Sequence, residues 1–570
     1  MRTVTDVVLD GESLTPEDVA AVARGGATVT VADEAREAIR AARDRVEEVA
    51  AGDEAVYGVN TGFGELVDER IGRDDREALQ RNLLRSHAAG TGSELPREVI
   101  RAMLLARANA LAKGYSGVRE VVVDHLVTML EQGVHPVVPR TGSLGASGDL
   151  APLAHASLVL IGEGVADVDG AETDGAADAA TADDGAAPER FDGAAALERA
   201  GLEPLSLRAK EGLALINGTQ LTVGIGALAV VDGEALVRVA DAAGALTTEV
   251  TMSSTVPSHP AIQDVRPHAG QAASARNVRR LTAGSEIVES HRNCDRVQDA
   301  YSTRCLPQIH GAVRDAVAHL RAAVETELNS ATDNPLVFPR EAVERDGEGG
   351  TTAASVDGDT DAAAARGTDP AAASGTDAAA VLSGGNFHGE PLALRLDYLT
   401  SALTELAAIS ERRVDRLLNP NTQEDHLPPF LTPDPGRSSG YMIAQYTAAA
   451  LVNECRATGR AATDNTPVSG NQEDHVSMSA TAAHGVRETV RRAREVVAIE
   501  LLCGAQAAEF VDDDLAPGHG SGAAYEAVRE AVPPLERDRP LRGEIATVAD
   551  LLADGTLEER VEDALDESLE

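Results

Sequence analysis

Residues 142–155 read Gly-Ser-Leu-Gly-Ala-Ser-Gly-Asp-Leu-Ala-Pro-Leu-Ala-His, and the Ala146-Ser147-Gly148 triplet inside them can make an electrophile from its own backbone. Pressed into a tight turn, the amide nitrogen of Gly148 can attack the carbonyl carbon of Ala146 and close a five-membered imidazolone ring. Loss of water, including the Ser147 hydroxyl, then leaves an exocyclic methylene conjugated to that ring, far more electrophilic than an ordinary side chain. Glycine suits the attacking position because it lacks a Cβ and tolerates unusual backbone angles. Taken alone, the triplet also reads as a glycine-rich turn before a helix, capped by Ser147 or Asp149. Chemistry at the triplet therefore requires surrounding elements that compress the turn and line it with polar groups.

Seven further strings follow in separate parts of the chain: Tyr57–Gly64 (YGVNTGFG), Arg81–Gly90 (RNLLRSHAAG), Lys210–Gln220 (KEGLALINGTQ), Gln298–Gln308 (QDAYSTRCLPQ), Gly385–His388 (GNFH), Asn453-Glu454, and Gly470–Met478 (GNQEDHVSM). Together with the fourteen-residue string, and in this order, they resemble the aromatic amino acid ammonia-lyases, and within that family the members selective for histidine. The resemblance runs from about Tyr57 to Met478, two insertions excluded. It implies a methylidene-imidazolone (MIO) formed autocatalytically from Ala146, Ser147 and Gly148, with no external cofactor. The implied reaction is non-oxidative deamination of L-histidine to trans-urocanate and ammonia, a step of histidine degradation. An ammonia-lyase or aminomutase for tyrosine or phenylalanine is the close alternative, and a catalytically silent helical scaffold the distant one.

The resemblance also assigns roles. Tyr57 is the expected general base at the substrate β-carbon; a free tyrosine has a pKa of about 10, so it needs nearby positive charge or hydrogen bonding to the phenolate. Tyr301 is expected to relay a proton or hydrogen-bond the leaving amine. Arg304 suits a carboxylate, which a guanidinium grips with two parallel hydrogen bonds. Asn217 and Gln298 offer amides to hold the ring and stabilise charge developing on it. His87 is expected to hydrogen-bond the substrate imidazole, Glu454 to favour a cationic or hydrogen-bonding ring over benzene, and Phe387 to complete the substrate-binding set.

The elements that must position these residues read as helices. Apolar residues recur at three- and four-residue spacing over Ala32–Ala51, with Gly52 as a stop, and similarly over Asp74–Ala89, Pro96–Lys113, Arg119–Gln132, Leu221–Ala245, Glu390–Leu418, Met442–Thr458 and Val486–Phe510. Alternating strand patterns are scarce and short, so the chain reads as mainly α, a bundle of long helices. We divide it into an N-terminal part bearing the triplet (1–210), a central helical bundle (211–480) and a C-terminal helical part (481–570); the resemblance implies a homotetramer. Gly212–Val231 carries no charge and is long enough to suggest a membrane span, but its Asn217, Thr219, Gln220, Thr222 and glycines favour a buried central helix. Val165–Pro188 and roughly Glu341–Ala380 are rich in Ala, Asp, Gly and Thr. With few large apolar side chains to offset the entropy of ordering, they read as mobile acidic surface insertions.

Net charge is −43, and all but two of the 50 basic residues are arginine, the exceptions being Lys113 and Lys210. Such a surface repels itself at low ionic strength, whereas at about 1 M salt screening acts over only about 3 Å. With 2% aromatics and no Trp, the composition suggests a halophilic protein of a salt-rich cytoplasm and disfavours nucleic acid and anionic membranes as partners. Cys294, Cys305, Cys455 and Cys503 form no C-x-x-C pair and no disulfide framework, which fits a reducing compartment, and the first residues lack the apolar core of a secretory signal. Gln-Glu-Asp-His occurs twice, at 423–426 and 472–475. Adjacent helical residues diverge, so neither run readily supplies several ligands to one ion, and no catalytic metal is expected.

Overall fold

A computed structural model describes residues 5–52, 56, 58–59, 72, 75–169, 189–292, 296–347, 374–375, 379–463, 465–512 and 514–570. Helices dominate. The longest are Gln220–Val250, Ser479–Ala508, Glu390–Leu418 and Leu306–Leu328. Each expected helix is present, with ends shifted by at most seven residues. The helix expected to end at Gly52 runs Asp33–Ala51, and the Gly52 N–H closes it on the Glu48 and Val49 carbonyls.

The chain forms two compact units, each discontinuous in sequence. The first comprises Met1–Leu228, Ala323–Ala393 and Ala462–Thr481; the second comprises Ala229–Ala322, Leu394–Ala461 and Ala482–Glu570. Among the described residues of the first unit lie four small sheets of two or three strands. One pairs Asp6–Leu9 with Thr28–Val31 in parallel. Another sets Val165–Val168 between Val134–Pro136 and Glu189–Asp192. This corrects the edge of the first acidic tract: Val165–Val168 is ordered, because it pairs on both sides and buries Ala166 and Val168. Likewise Ala379–Leu382, at the end of the second tract, pairs with Leu336–Pro339, and its start lies in the helix Arg340–Gly347. The rest of both tracts, residues 170–188, 348–373 and 376–378, lies outside the described residues.

In the second unit, helices enclose a polar chain. Fully buried His310 lies 2.7 Å from Asp241 through Nδ1, and the buried Arg413–Glu500 pair receives further hydrogen bonds from Thr247 and Ser410. Every donor and acceptor brought inside needs such a partner.

The uncharged stretch 212–230 is buried throughout, but it is broken rather than continuous. Helix Glu211–Ile216 ends, three residues intervene, and a new helix starts at Gln220. Gly218 at the break has φ +141°. The carbonyls of Ala214 and Asn217, which would otherwise continue the helical ladder, accept instead from Arg107. Among the described residues no helix is long and apolar enough to cross a membrane.

Candidate active site

The reactive turn is built by close backbone approach. Gly148 has φ +72°, and a Cβ there would sit 2.2 Å from the Gly218 carbonyl oxygen. Gly145, at φ +69°, faces the Ser479 and Ser477 hydroxyls so closely that a side chain would collide with both. Only glycine fits either place. Asp149 donates its N–H to Gly218 O at 2.7 Å, closing the turn onto the helix break. The Gly145 carbonyl takes the Ser477 hydroxyl at 2.9 Å and the Gly389 N–H at 3.1 Å, drawing together segments around residues 145, 389 and 477.

Neither Ser147 nor Asp149 caps the helix Leu150–Leu160 that follows. The Asp149 carboxylate instead accepts the Thr222 N–H at 2.9 Å, in the first turn of the helix Gln220–Val250, along with the Ser143 hydroxyl at 2.7 Å. It therefore serves the N-terminus of a neighbouring helix, where a negative group is favoured. Burial pushes its pKa up, against the pull of these hydrogen bonds.

Ser147 is gripped from two sides. Its carbonyl accepts the Asn217 Nδ2 amide at 2.8 Å, and its hydroxyl donates to Glu473 Oε1 at 2.7 Å. Both partners line a cavity of about 470 Å³ with Ala146, Ser147, Phe387, His388, His475 and neighbours, a size suited to a small-molecule substrate. Asn217 Oδ1 is buried with no hydrogen-bond partner among the described residues, so a polar acceptor stands ready beside the turn. His388 and His475 stack with centroids 5.8 Å apart.

These features fit the implied prosthetic group. The turn is compressed where ring closure needs it, the carbonyl that the ring would retain already has a donor, and the hydroxyl to be lost faces a carboxylate.

Of the residues singled out in the sequence, Ala146, Ser147, Gly148, Asn217 and Phe387 come together here. His87, the last residue of the helix Arg76–His87, stands near enough for the charge of Glu473 to act on it; burial lowers its pKa, while the Leu83 hydrogen bond and Glu473 raise it. Its Nδ1 lies 2.9 Å from the Leu83 carbonyl, which can only accept, so that nitrogen carries the proton and Nε2 is left as an acceptor. Tyr57 lies outside the described residues.

Gln298, Tyr301 and Arg304 form their own cluster in the second unit. Arg304 donates to the Gln298 amide oxygen, and Tyr301 is 74% exposed. They are not part of the cavity's lining. Glu454, also in the second unit, lies on the helix Met442–Ala457, its side chain 57% exposed and paired with Arg492 at 3.0 Å. The carboxylate that faces the reactive turn is Glu473. Its motif was visible in the sequence, and its place in a Gly/Asn-containing loop was the signal that could have singled it out. His388, His475 and the bracing role of Asp149 were also missed. Among the described residues, no group of three or more His, Cys, Asp or Glu side chains is placed to hold a metal ion.

A helical fold with this turn at its site defines a class, and residues 14–530 match the aromatic amino acid lyase family; the chain belongs to it. It is 61% identical to a probable histidine ammonia-lyase of Halobacterium salinarum over the full length of both chains, and 48% identical to the histidine ammonia-lyase of Gloeobacter violaceus across 99% of each. Its structure is similar to that of histidine ammonia-lyase from Trypanosoma cruzi, with a TM-score of 0.81 and 36% identity, covering 98% of this chain and 95% of that one. Similarity to tyrosine aminomutase from Streptomyces globisporus gives a TM-score of 0.84 at 35% identity, covering 99% and 100%.

Proposed function

We propose that this chain deaminates L-histidine to trans-urocanate and ammonia, using an electrophilic ring closed from Ala146, Ser147 and Gly148. The observation that carries this reading is the cavity in which Ser147 meets the Asn217 amide and the Glu473 carboxylate. Once closed, the ring supplies the electrophile that turns the substrate's α-amine into a leaving group.

The chain's own residues do the rest. Asn217 Nδ2 donates to the Ser147 carbonyl oxygen, so negative charge growing there meets a preorganised donor. Glu473 and His87 Nε2 both accept hydrogen bonds, which favours an imidazole carrying N–H donors over a benzene ring that has none. Phe387 walls the cavity. Tyr57 is assigned the β-proton, Arg304 the substrate carboxylate, Gln298 a place beside Asn217 in holding the ring, and Tyr301 a hydrogen bond to the departing amine.

We assign these last residues to a site completed by assembly as a homotetramer. The 74% exposure of Tyr301, a large aromatic with Gln298 and Arg304 close in sequence, supports this, because a partner subunit would cover it. The net charge of −43 supports a salt-rich cytoplasm as the working environment.

The test is Ser147→Ala, which removes the hydroxyl needed for the methylene. Turnover of histidine, followed by urocanate absorbance in high salt, is expected to vanish while helical content and melting stay as in the wild type. Full activity in that variant would refute the reading. Tyrosine or phenylalanine consumed in preference to histidine would move the assignment to an ammonia-lyase or aminomutase for those amino acids.

A further inference from the structure

Directly behind the reactive turn lies a cation that the mechanism above does not use. Arg107, on the helix Arg97–Ala112, is 1% exposed. Among the described residues it makes no ion pair, and its Nε has no hydrogen-bond partner. The charges of Asp333 and Asp149 act on it, but neither carboxylate pairs with it directly, and burying a charge without a partner in contact is costly. Burial does lower its pKa, to about 10, which leaves it charged near neutrality. Its guanidinium is spent instead on one short segment, donating to the Ala214 carbonyl at 2.8 Å, to the Asn217 carbonyl at 2.6 Å and to the Gln220 side-chain oxygen.

That segment is the wall against which the turn is pressed. A Cβ on Gly218 would lie 2.5 Å from Arg107 Nη2, and one on Gly148 would lie 2.2 Å from Gly218 O. Guanidinium, Gly218 and Gly148 are thus stacked without room for a methyl group at either junction. By turning two carbonyls out of the helical ladder, Arg107 also holds the break that aims Asn217 at Ser147.

We propose that Arg107 is the positioning residue for ring closure, holding the Asn217-Gly218 wall so that the Gly148 nitrogen is forced toward the Ala146 carbonyl carbon. In that condensation the Gly148 N–Ala146 C bond forms. One water takes the Ala146 oxygen with the amide hydrogens of Gly148 and Ser147, and a second takes the Ser147 hydroxyl with its Cα hydrogen. No oxidant is required. The inference rests on the function proposed above.

It is tested by the mass of the peptide spanning Ser147, from folded, size-selected wild type, Arg107→Met and Arg107→Lys, with kcat and KM for each. Wild type is expected to lack the mass of two waters. In Arg107→Met the dehydrated fraction should fall at least about tenfold, and kcat with it, while KM for the remaining active sites holds. Arg107→Lys, which keeps the charge but cannot serve three acceptors in a fixed plane, should fall between. Complete dehydration with wild-type kinetics in folded Arg107→Met overturns the proposal; if that variant does not fold, the same result in Arg107→Lys does so. A wild-type peptide of unmodified mass would instead refute the proposed function itself.

Discussion

The tetrapeptide Gln-Glu-Asp-His occurs at 423–426 and again at 472–475, and the two copies do opposite things. In the first, Glu424 is held by Arg416 at 2.5 Å and by Arg296. Gln423 ties down the carbonyls of Leu427 and Pro428, both at 2.9 Å, and His426 reaches Val250 O at 3.1 Å. That copy is absorbed into its own surroundings. In the second, Glu473 makes no ion pair among the described residues; it accepts the Ser147 hydroxyl and faces a cavity. Identical side chains thus become a brace where cations consume them and a reactive surface where they are left open.

The largest expected effect separates the copies by activity. Glu473→Gln should lower kcat/KM for histidine at least about 100-fold, close to 3 kcal/mol of transition-state stabilisation, with little change in melting temperature. If stability fell and activity held, Glu473 would be a brace too. Next comes His87, whose pKa burial depresses below the ordinary 6.5. A depressed histidine contributes stability that is fully present above about pH 6.5 and lost as pH falls through its folded value. The acid limb of kcat/KM should therefore lie below pH 6.5 and shift or flatten in His87→Gln, which should also lose about tenfold in kcat/KM; an unchanged profile would remove His87 from the site.

Glu424→Gln sharpens the contrast from the other side. It removes the carboxylate shared by two part-buried arginines, of which Arg296 keeps Asp299, and should cost about 1–3 kcal/mol in denaturant unfolding, less than for a fully buried pair. The folded enzyme should keep kcat/KM within about threefold. The smallest effect belongs to Glu454→Gln, an exposed pair worth about 0–1 kcal/mol, for which kinetics with histidine should change less than about twofold. A tenfold loss there would show that Glu454 serves the substrate ring as well as its arginine.

Much of this molecule was readable from local pattern. The helix Glu390–Leu418 was expected with those ends, and the triplet's chemistry follows from three residue types in a row. Asn217 and Phe387 were found through the strings that surround them. Less readable was anything set by a distant partner. Gly212–Val231 looked like one helix because its composition is uniformly apolar, and nothing local announces that Arg107 diverts two of its carbonyls. The ends of the acidic tracts looked mobile because a strand such as Val165–Val168 owes its order to Val134–Pro136, about thirty residues away. Asp149 looked like a cap for the helix beginning beside it, yet serves one that starts at Gln220.

What the sequence alone determined is the capacity for chemistry, since bond formation among Ala146, Ser147 and Gly148 depends on neighbours along the chain, and helix periodicity depends on residues three and four apart. Tertiary structure alone decided which carboxylate meets the Ser147 hydroxyl, because Glu473 is 326 residues away from it. A carboxylate is acidic wherever it occurs. Whether it is neutralised by arginines or left to face a reacting group depends on what folding packs beside it.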